Sequence, residues 1–155
     1  MVCLRRALAL SEEYYENGQL LVRCNYKNNE LNGLHETWNP NGQYIEIANW
    51  KNDKLNGIVQ NWNDLGNCIE SESNWKDGTR DGLDKMWYDD GNIWRILNYK
   101  DGVFDGLFEM WHHNGQLYKK FSCKNGKRDG LYQEWYSDGE LKHTVIYKDG
   151  VKIQN

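Results

Sequence analysis

Four histidines, four cysteines and a set of regularly placed aspartates are the residues of this chain that could carry chemistry. Imidazoles and thiolates bind metals or attack substrates only when several converge at ligand spacing or one stands beside a base. His35, His112, His113 and His143 fall at unrelated places, and the adjacent His112-His113 has no carboxylate or cysteine at ligand spacing. Cys3, Cys24, Cys68 and Cys123 form no C-x-x-C, so neither a zinc site nor a disulfide ladder is encoded. Reduced thiols in a cytoplasmic, intracellular setting are the plain reading. Asp81, Asp105 and Asp129 each precede a glycine and read as turn residues bonding their own backbone. With no nucleophile elbow, phosphate loop or acid pair, the expectation is no enzyme, no cofactor and no metal site.

Tryptophan offers a different chemistry, because a row of indoles can stack bases or sugars. Trp38, Trp62, Trp87, Trp111 and Trp135 recur 24 or 25 residues apart. The glycines Gly18, Gly42, Gly66, Gly91, Gly115 and Gly139 keep the same period. A spacing in the range of about 20–50 residues marks a repeat array. The indoles therefore read as a structural spine, buried against aliphatic and aromatic partners, in preference to a stacking platform.

Each unit holds two short runs bounded by Gly, Asn and Asp clusters, the pattern of two strands joined by turns, with no helical periodicity. In Asn39-Pro40-Asn41-Gly42 the proline suits a type I turn and the glycine a following left-handed residue. That turn sets Trp38 opposite Tyr44, Trp62 opposite Cys68, Trp87 opposite Ile93, Trp111 opposite Leu117 and Trp135 opposite Leu141. The other turn, Lys-[Asn/Asp]-Gly-x-x-[Asn/Asp]-Gly, reads as a wider loop that sets Trp75 opposite Leu83 and Tyr99 opposite Leu107. The third unit carries one extra residue, expected as a β-bulge near Ser71–Ser73. Residues 10–155 form the array, and residues 1–9 precede it as an arm, either a short helix or extended.

The recurring Tyr/Trp-x-x-Asn-Gly-x-Leu, Tyr-Lys-Asp-Gly and Asp-Gly-Leu-x-x-x-Trp elements resemble the MORN repeat family in its variant form, over nearly the whole chain. Departures are Asn29 and Asp53 at the loop glycine, Cys123 at an aromatic position and Leu65 before Gly66. The resemblance implies an all-β fold, a single elongated, twisted antiparallel β-meander of about six 24-residue hairpins. It also implies tethering, scaffolding and self-association, sometimes at membranes.

A formal charge of −4 argues against nucleic acid, which needs basic patches. No stretch approaches the roughly 18 apolar residues of a membrane-spanning helix. Nineteen asparagines and thirteen lysines beside six arginines suit an AT-rich genome, that of a bacterium or a large DNA virus. On the strand face alternating with the spine, early units are polar at Thr37, Asn61 and Asp84. Later units are apolar there, at Met86, Trp94, Ile96, Phe108, Met110, Tyr118 and Tyr132. Turn arithmetic sets Met86 opposite Trp94, and Met110 opposite both Ile96 and Tyr118, with Glu134 facing Lys120 and Lys142 as a polar rim. A patch of that kind marks a partner-binding surface. The reading is a non-catalytic protein–protein interaction scaffold, a homodimer through its C-terminal repeats that recruits an unidentified protein. The alternative is a module for membrane or lipid recognition or tethering.

Overall fold

The computed structural model describes residues 8 to 154; residues 1–7, which hold most of the expected arm, lie outside the described residues. The chain lays down β1 (Leu8–Tyr14), β2 (Leu20–Lys27), β3 (Glu30–Trp38), β4 (Tyr44–Lys51), β5 (Lys54–Trp62), β6 (Ile69–Lys76), β7 (Thr79–Trp87) and β8 (Ile93–Lys100). It continues through β9 (Val103–Phe104), β10 (Gly106–Trp111), β11 (Leu117–Lys124), β12 (Lys127–Arg128), β13 (Gly130–Trp135), β14 (Leu141–Lys148) and β15 (Val151–Gln154). All pair antiparallel in one open sheet, in chain order, with β9 and β12 completing hairpins against β8 and β11. Among the described residues there is no helix and no second layer. This is the all-β meander of consecutive hairpins. Leu8 and Ala9, assigned to the arm by sequence, are paired with Lys27 and Tyr26 in the sheet.

Two kinds of turn alternate. At Asn39-Pro40-Asn41-Gly42 the Gly42 N–H donates to the Asn39 carbonyl at 2.9 Å, and Asn39 N–H donates to the Gln43 carbonyl at 2.8 Å. The pairs Trp38–Tyr44, Trp87–Ile93, Trp111–Leu117 and Trp135–Leu141 form as the turn dictates. Trp62 instead meets Ile69, because the extra residue of the third unit sits in the turn, where Asn63 N–H reaches the Cys68 carbonyl. No bulge forms at Ser71–Ser73. A loop absorbs one residue without moving any side chain to the other face, whereas a strand cannot. A bulge does stand beside each tryptophan, with Ile45, Glu70, Trp94, Tyr118 and Lys142 as the unpaired residues.

The second turn is tighter than the sequence reading had it. Lys27 pairs Glu30, Lys51 pairs Lys54, Lys76 pairs Thr79 and Lys100 pairs Val103, so only two residues form each loop. Both have positive φ, as at Asn28 (54°) and Asn29 (65°) or Asp101 (48°) and Gly102 (81°). These are type I′ turns, whose twist matches that of the strands. Trp75 therefore faces Arg80, and Tyr99 faces Phe104, not the leucines expected from a wider loop.

Beyond each tight turn the register shifts again, and in the first four hairpins an asparagine, Asn25, Asn49, Asn74 or Asn98, fills the gap. Asn49 Nδ2 donates to the Ile58 carbonyl at 2.9 Å, beside Gly57, whose φ is +121°. A Cβ at Gly57 would lie 3.0 Å from Asn49 Cβ. That is inside normal carbon contact distance, so glycine is required there on two counts.

Most of the buried side chains line one face. Cys24, His35, Ala48, Val59, Ser73, Asp84 and Leu97 are successive cross-strand partners along the middle of the strands. Phe108, Phe121, Tyr132 and Val145 continue the row. Leu97 and Val145 are 1% exposed. This inner face is the core, and the tryptophan spine lies on the other.

Candidate functional site

Six of the seven residues expected to form the partner-binding patch lie on the inner face. Met86 faces Arg95 with Trp94 as the extra residue of the bulge, and Met110 faces Lys119 with Tyr118 in the same role. Ring contacts of Trp94 with Tyr88 (6.1 Å) and Tyr118 with His112 (4.8 Å) hold both aromatics at the tryptophan end of that face. Phe108 and Tyr132 belong to the core row, where Phe108 stacks on Phe121 at 4.4 Å. Ile96 is the exception. It pairs with Lys85 and Glu109 on the outer face, because the bulge at Trp94 moves every later residue of β8 one place along β7 from the expected register. Glu134 does take Lys142, at 2.8 Å, but Lys120 goes to Glu109 at 2.9 Å. Tyr132 donates to Glu134 at 2.9 Å, and burial together with that bond pushes its phenol up to about 12.

A polar island interrupts the inner face at β5–β8. Ser73 and Asp84 occupy the core row where neighbouring strands place Val59 and Leu97. Their small size leaves a cavity of about 270 Å³ lined by Glu46, Asn61, Ser71, Trp75, Arg80 and Arg95 among others. Arg80 reaches Asp84 at 2.8 Å and Arg95 approaches it at 3.9 Å. Burial nevertheless raises the Asp84 carboxyl above its ordinary range, outweighing both arginines. Arg80 lies between the rings of Trp75 and Tyr99, at 5.4 and 5.3 Å.

The outer face is striped. At the end with the type I turns run the spine residues Trp38, Trp62, Trp87, Trp111 and Trp135. Trp38 is 8% exposed and the others are half-buried, with Tyr44 tilted between Trp38 (5.2 Å) and Trp62 (5.7 Å). The next stripe holds ion pairs, Arg23–Glu12, Lys85–Glu72 and Lys120–Glu109, at 2.8–2.9 Å. The third alternates Leu34, Ile58, Leu83, Leu107 and Leu131 with Asn49, Asn74, Asn98 and Ser122. The aliphatics are 41–50% exposed. A lysine stripe, Lys27, Lys51, Lys76, Lys100 and Lys124, borders the tight turns and continues to Lys148. Sequence reasoning missed these two stripes. The signal was present in Asn-Gly and Asp-Gly, the strongest two-residue hairpin dipeptides.

The candidate chemical residues serve structure. His112 Nε2 lies 3.1 Å from the Trp135 carbonyl, and His113 stacks on Tyr88 at 3.6 Å. His35 sits edge-on to Trp50, and His143 edge-on to Tyr132. No group of three metal-ligating side chains exists among the described residues. Asp81, Asp105 and Asp129 do not bond their own turns. Each accepts the backbone N–H of the next tight turn, from Asp101, Asn125 and Asp149, at 3.0–3.2 Å. The backbone itself makes parallel links, from Gly78 to Leu55, Gly102 to Arg80 and Gly126 to Phe104, each 2.8 Å. Successive hairpins are thus tied at their tips as well as along their strands.

Among solved structures, a protein of unknown function from Bacteroides fragilis aligns over 92% of this chain and 93% of its own. It is 11% identical, with a TM-score of 0.18. No curated protein matches the chain. The model of the MORN repeat variant matches residues 9–28, 31–52, 80–101, 104–125 and 128–149. The unmatched stretch between the second and third matches holds the lengthened turn and Ser73. With two thirds of its residues in five matched repeats, each a hairpin of one continuous sheet, the chain belongs to the MORN repeat variant family.

Proposed function

We propose that the chain is a non-catalytic protein–protein interaction scaffold that forms a homodimer through its C-terminal hairpins and recruits a further protein. Repeats of this family are interaction modules for proteins and membranes. The observation that carries the self-association reading is the apolar surface left open on the last hairpins, which is matched at the other end of the sheet by Leu8, Leu10 and Tyr14 of β1. Leu141, Val151 and Ile153 are exposed on β14 and β15, and Met110, Trp94 and Tyr118 stand half-buried on the inner face. A one-layer sheet has no second layer of its own to cover such residues, and association removes them from water. A reducing cytoplasm fits the free thiols of Cys24, Cys68 and Cys123.

Sedimentation velocity from micromolar to near-millimolar chain is the test. The wild type should sediment as a dimer, and Met110→Asp with Trp94→Asp as a folded monomer. Because Met110 and Trp94 are half-buried, Ile153→Asp at the exposed end provides a second variant that leaves the core untouched. A wild type that stays monomeric over the whole range removes the self-association reading.

A further inference from the structure

We propose that the aliphatic stripe of the outer face, Leu34, Ile58, Leu83, Leu107 and Leu131, with the lysine stripe beside it, is a docking surface for an acidic amphipathic α-helix of the recruited protein. The inference rests on the scaffold reading and names the chemistry of its partner.

The spacing comes first. The five aliphatics stand on every second strand of the hydrogen-bonded order. With strands about 4.8 Å apart they recur roughly every 9.6 Å across the sheet. Between them lie Asn49, Asn74, Asn98 and Ser122, and the asparagine amides are turned down onto the carbonyls of Ile58, Leu83 and Asp105. The stripe is therefore a series of apolar ridges separated by shallow floors. An α-helix lying along it presents a residue of the same face every seven positions, about 10.5 Å of rise. The mismatch is about 1 Å per step. An extended strand repeats its face roughly every 6.6–6.8 Å and falls out of step at once.

Charge decides the rest. Lys27, Lys51, Lys76, Lys100 and Lys124 follow the filled gap by two residues on their strands, so they border the aliphatics at a distance of about 7 Å. Among the described residues none of the five has a carboxylate within 4 Å, whereas Lys148 is held by Asp129 at 2.9 Å. The opposite border of the stripe is already neutralised by Lys85–Glu72 and Lys120–Glu109. Unpaired positive charge on one border calls for carboxylates along one edge of the incoming helix, which also fixes its direction of roll. A lipid surface fits less well. It has no period to match the ridges of the stripe.

The test uses the full chain and a synthetic 28-residue helix with leucine at heptad spacing and glutamate along one flank, titrated calorimetrically. Wild type should bind. Leu83→Ser with Leu107→Ser should weaken binding at least tenfold, as should Lys76→Glu with Lys100→Glu. The charge-reversed chain should recover most of that loss with a peptide carrying lysine in place of the flank glutamates. Absent binding at millimolar peptide, or a charge reversal that no swapped peptide rescues, overturns the proposal. Flotation with phosphatidylserine vesicles that depends on the same leucines and lysines overturns it in favour of a lipid surface. Sedimentation of the same variants separates this inference from the dimer. Both stripe variants should keep the wild-type association state, and a monomeric wild type that still binds the helix leaves the docking surface standing.

Discussion

Replacing Gly57 with alanine tests how the two turns are reconciled within each hairpin. At φ +121° an alanine occupies a backbone region that costs about 1–3 kcal/mol outside glycine. Its Cβ would also stand 3.0 Å from Asn49 Cβ and 3.4 Å from Asn49 Cγ, where carbon contacts normally begin near 3.5 Å. Asn49 can retreat only by giving up its 2.9 Å bond to the Ile58 carbonyl, worth roughly 0.5–1.5 kcal/mol. The smaller entropy of the unfolded alanine chain returns about 0.4–1 kcal/mol. The net loss is about 0.5–4 kcal/mol. Gly130→Ala is the matched control. Its φ is +107°, but Ser122 stands where Asn49 would, and nothing lies within 4 Å of the added carbon. It should show the backbone cost alone, so Gly57→Ala should exceed it by about 1 kcal/mol, the size of the threatened hydrogen bond. Asn49→Ala should then be less than additive with Gly57→Ala by a similar amount. Urea unfolding followed by tryptophan fluorescence measures all four. Equal losses at the two glycines, or full additivity with Asn49→Ala, would refute the reasoning.

Asn29 and Asp53 both occupy the second position of a tight turn, with φ of 65° and 60°. Asn29→Gly should stabilise by a few tenths of a kcal/mol to about 1. Asp53→Gly should not, because Asp53 Oδ1 accepts the Leu31 N–H at 2.7 Å; urea midpoints that rise equally for both contradict this. Asp84 is held above the ordinary aspartate range by burial, so its contribution is most favourable below the unfolded pKa and is lost as pH rises through the folded one. Asp84→Asn should therefore gain on wild type as pH climbs from about 3 toward neutrality, and unfolding curves in which the gap narrows instead count against the assignment. Burial raises the Cys24 thiol, so iodoacetamide at pH 8 should label Cys24 in the folded chain far more slowly than in urea, by peptide mass spectrometry.

The period, the hairpins and the strand order were legible because glycine and tryptophan mark them by type. Register was harder to read. The dipeptides Asp101-Gly102 and Asn125-Gly126 signal a two-residue turn, but the second Asp-Gly four residues on suggests a wider loop. Choosing the wide loop displaces Met110 from Arg95 to Ile96, and overlooking the bulge at Trp94 puts Ile96 on the wrong face. The core row was illegible for another reason. Cys24, His35, Ala48, Val59, Ser73 and Asp84 share a position but no chemistry, because a curved one-layer sheet buries that position whatever fills it. The tryptophans drew attention by size while sitting on the opposite face. The aliphatic stripe escaped because the wide loop had already assigned Leu83 and Leu107 to Trp75 and Tyr99.

The links at the hairpin tips have a consequence for how such a chain can change. Asp105 holds the turn of Asn125, and Asp129 that of Asp149, by the same bond one unit further along. Inserting or deleting 24 residues in this part of the sheet therefore leaves its junctions chemically as they were. The molecule is a ruler whose length can be altered in steps of about 10 Å, and whatever lies along its back gains or loses one foothold per step.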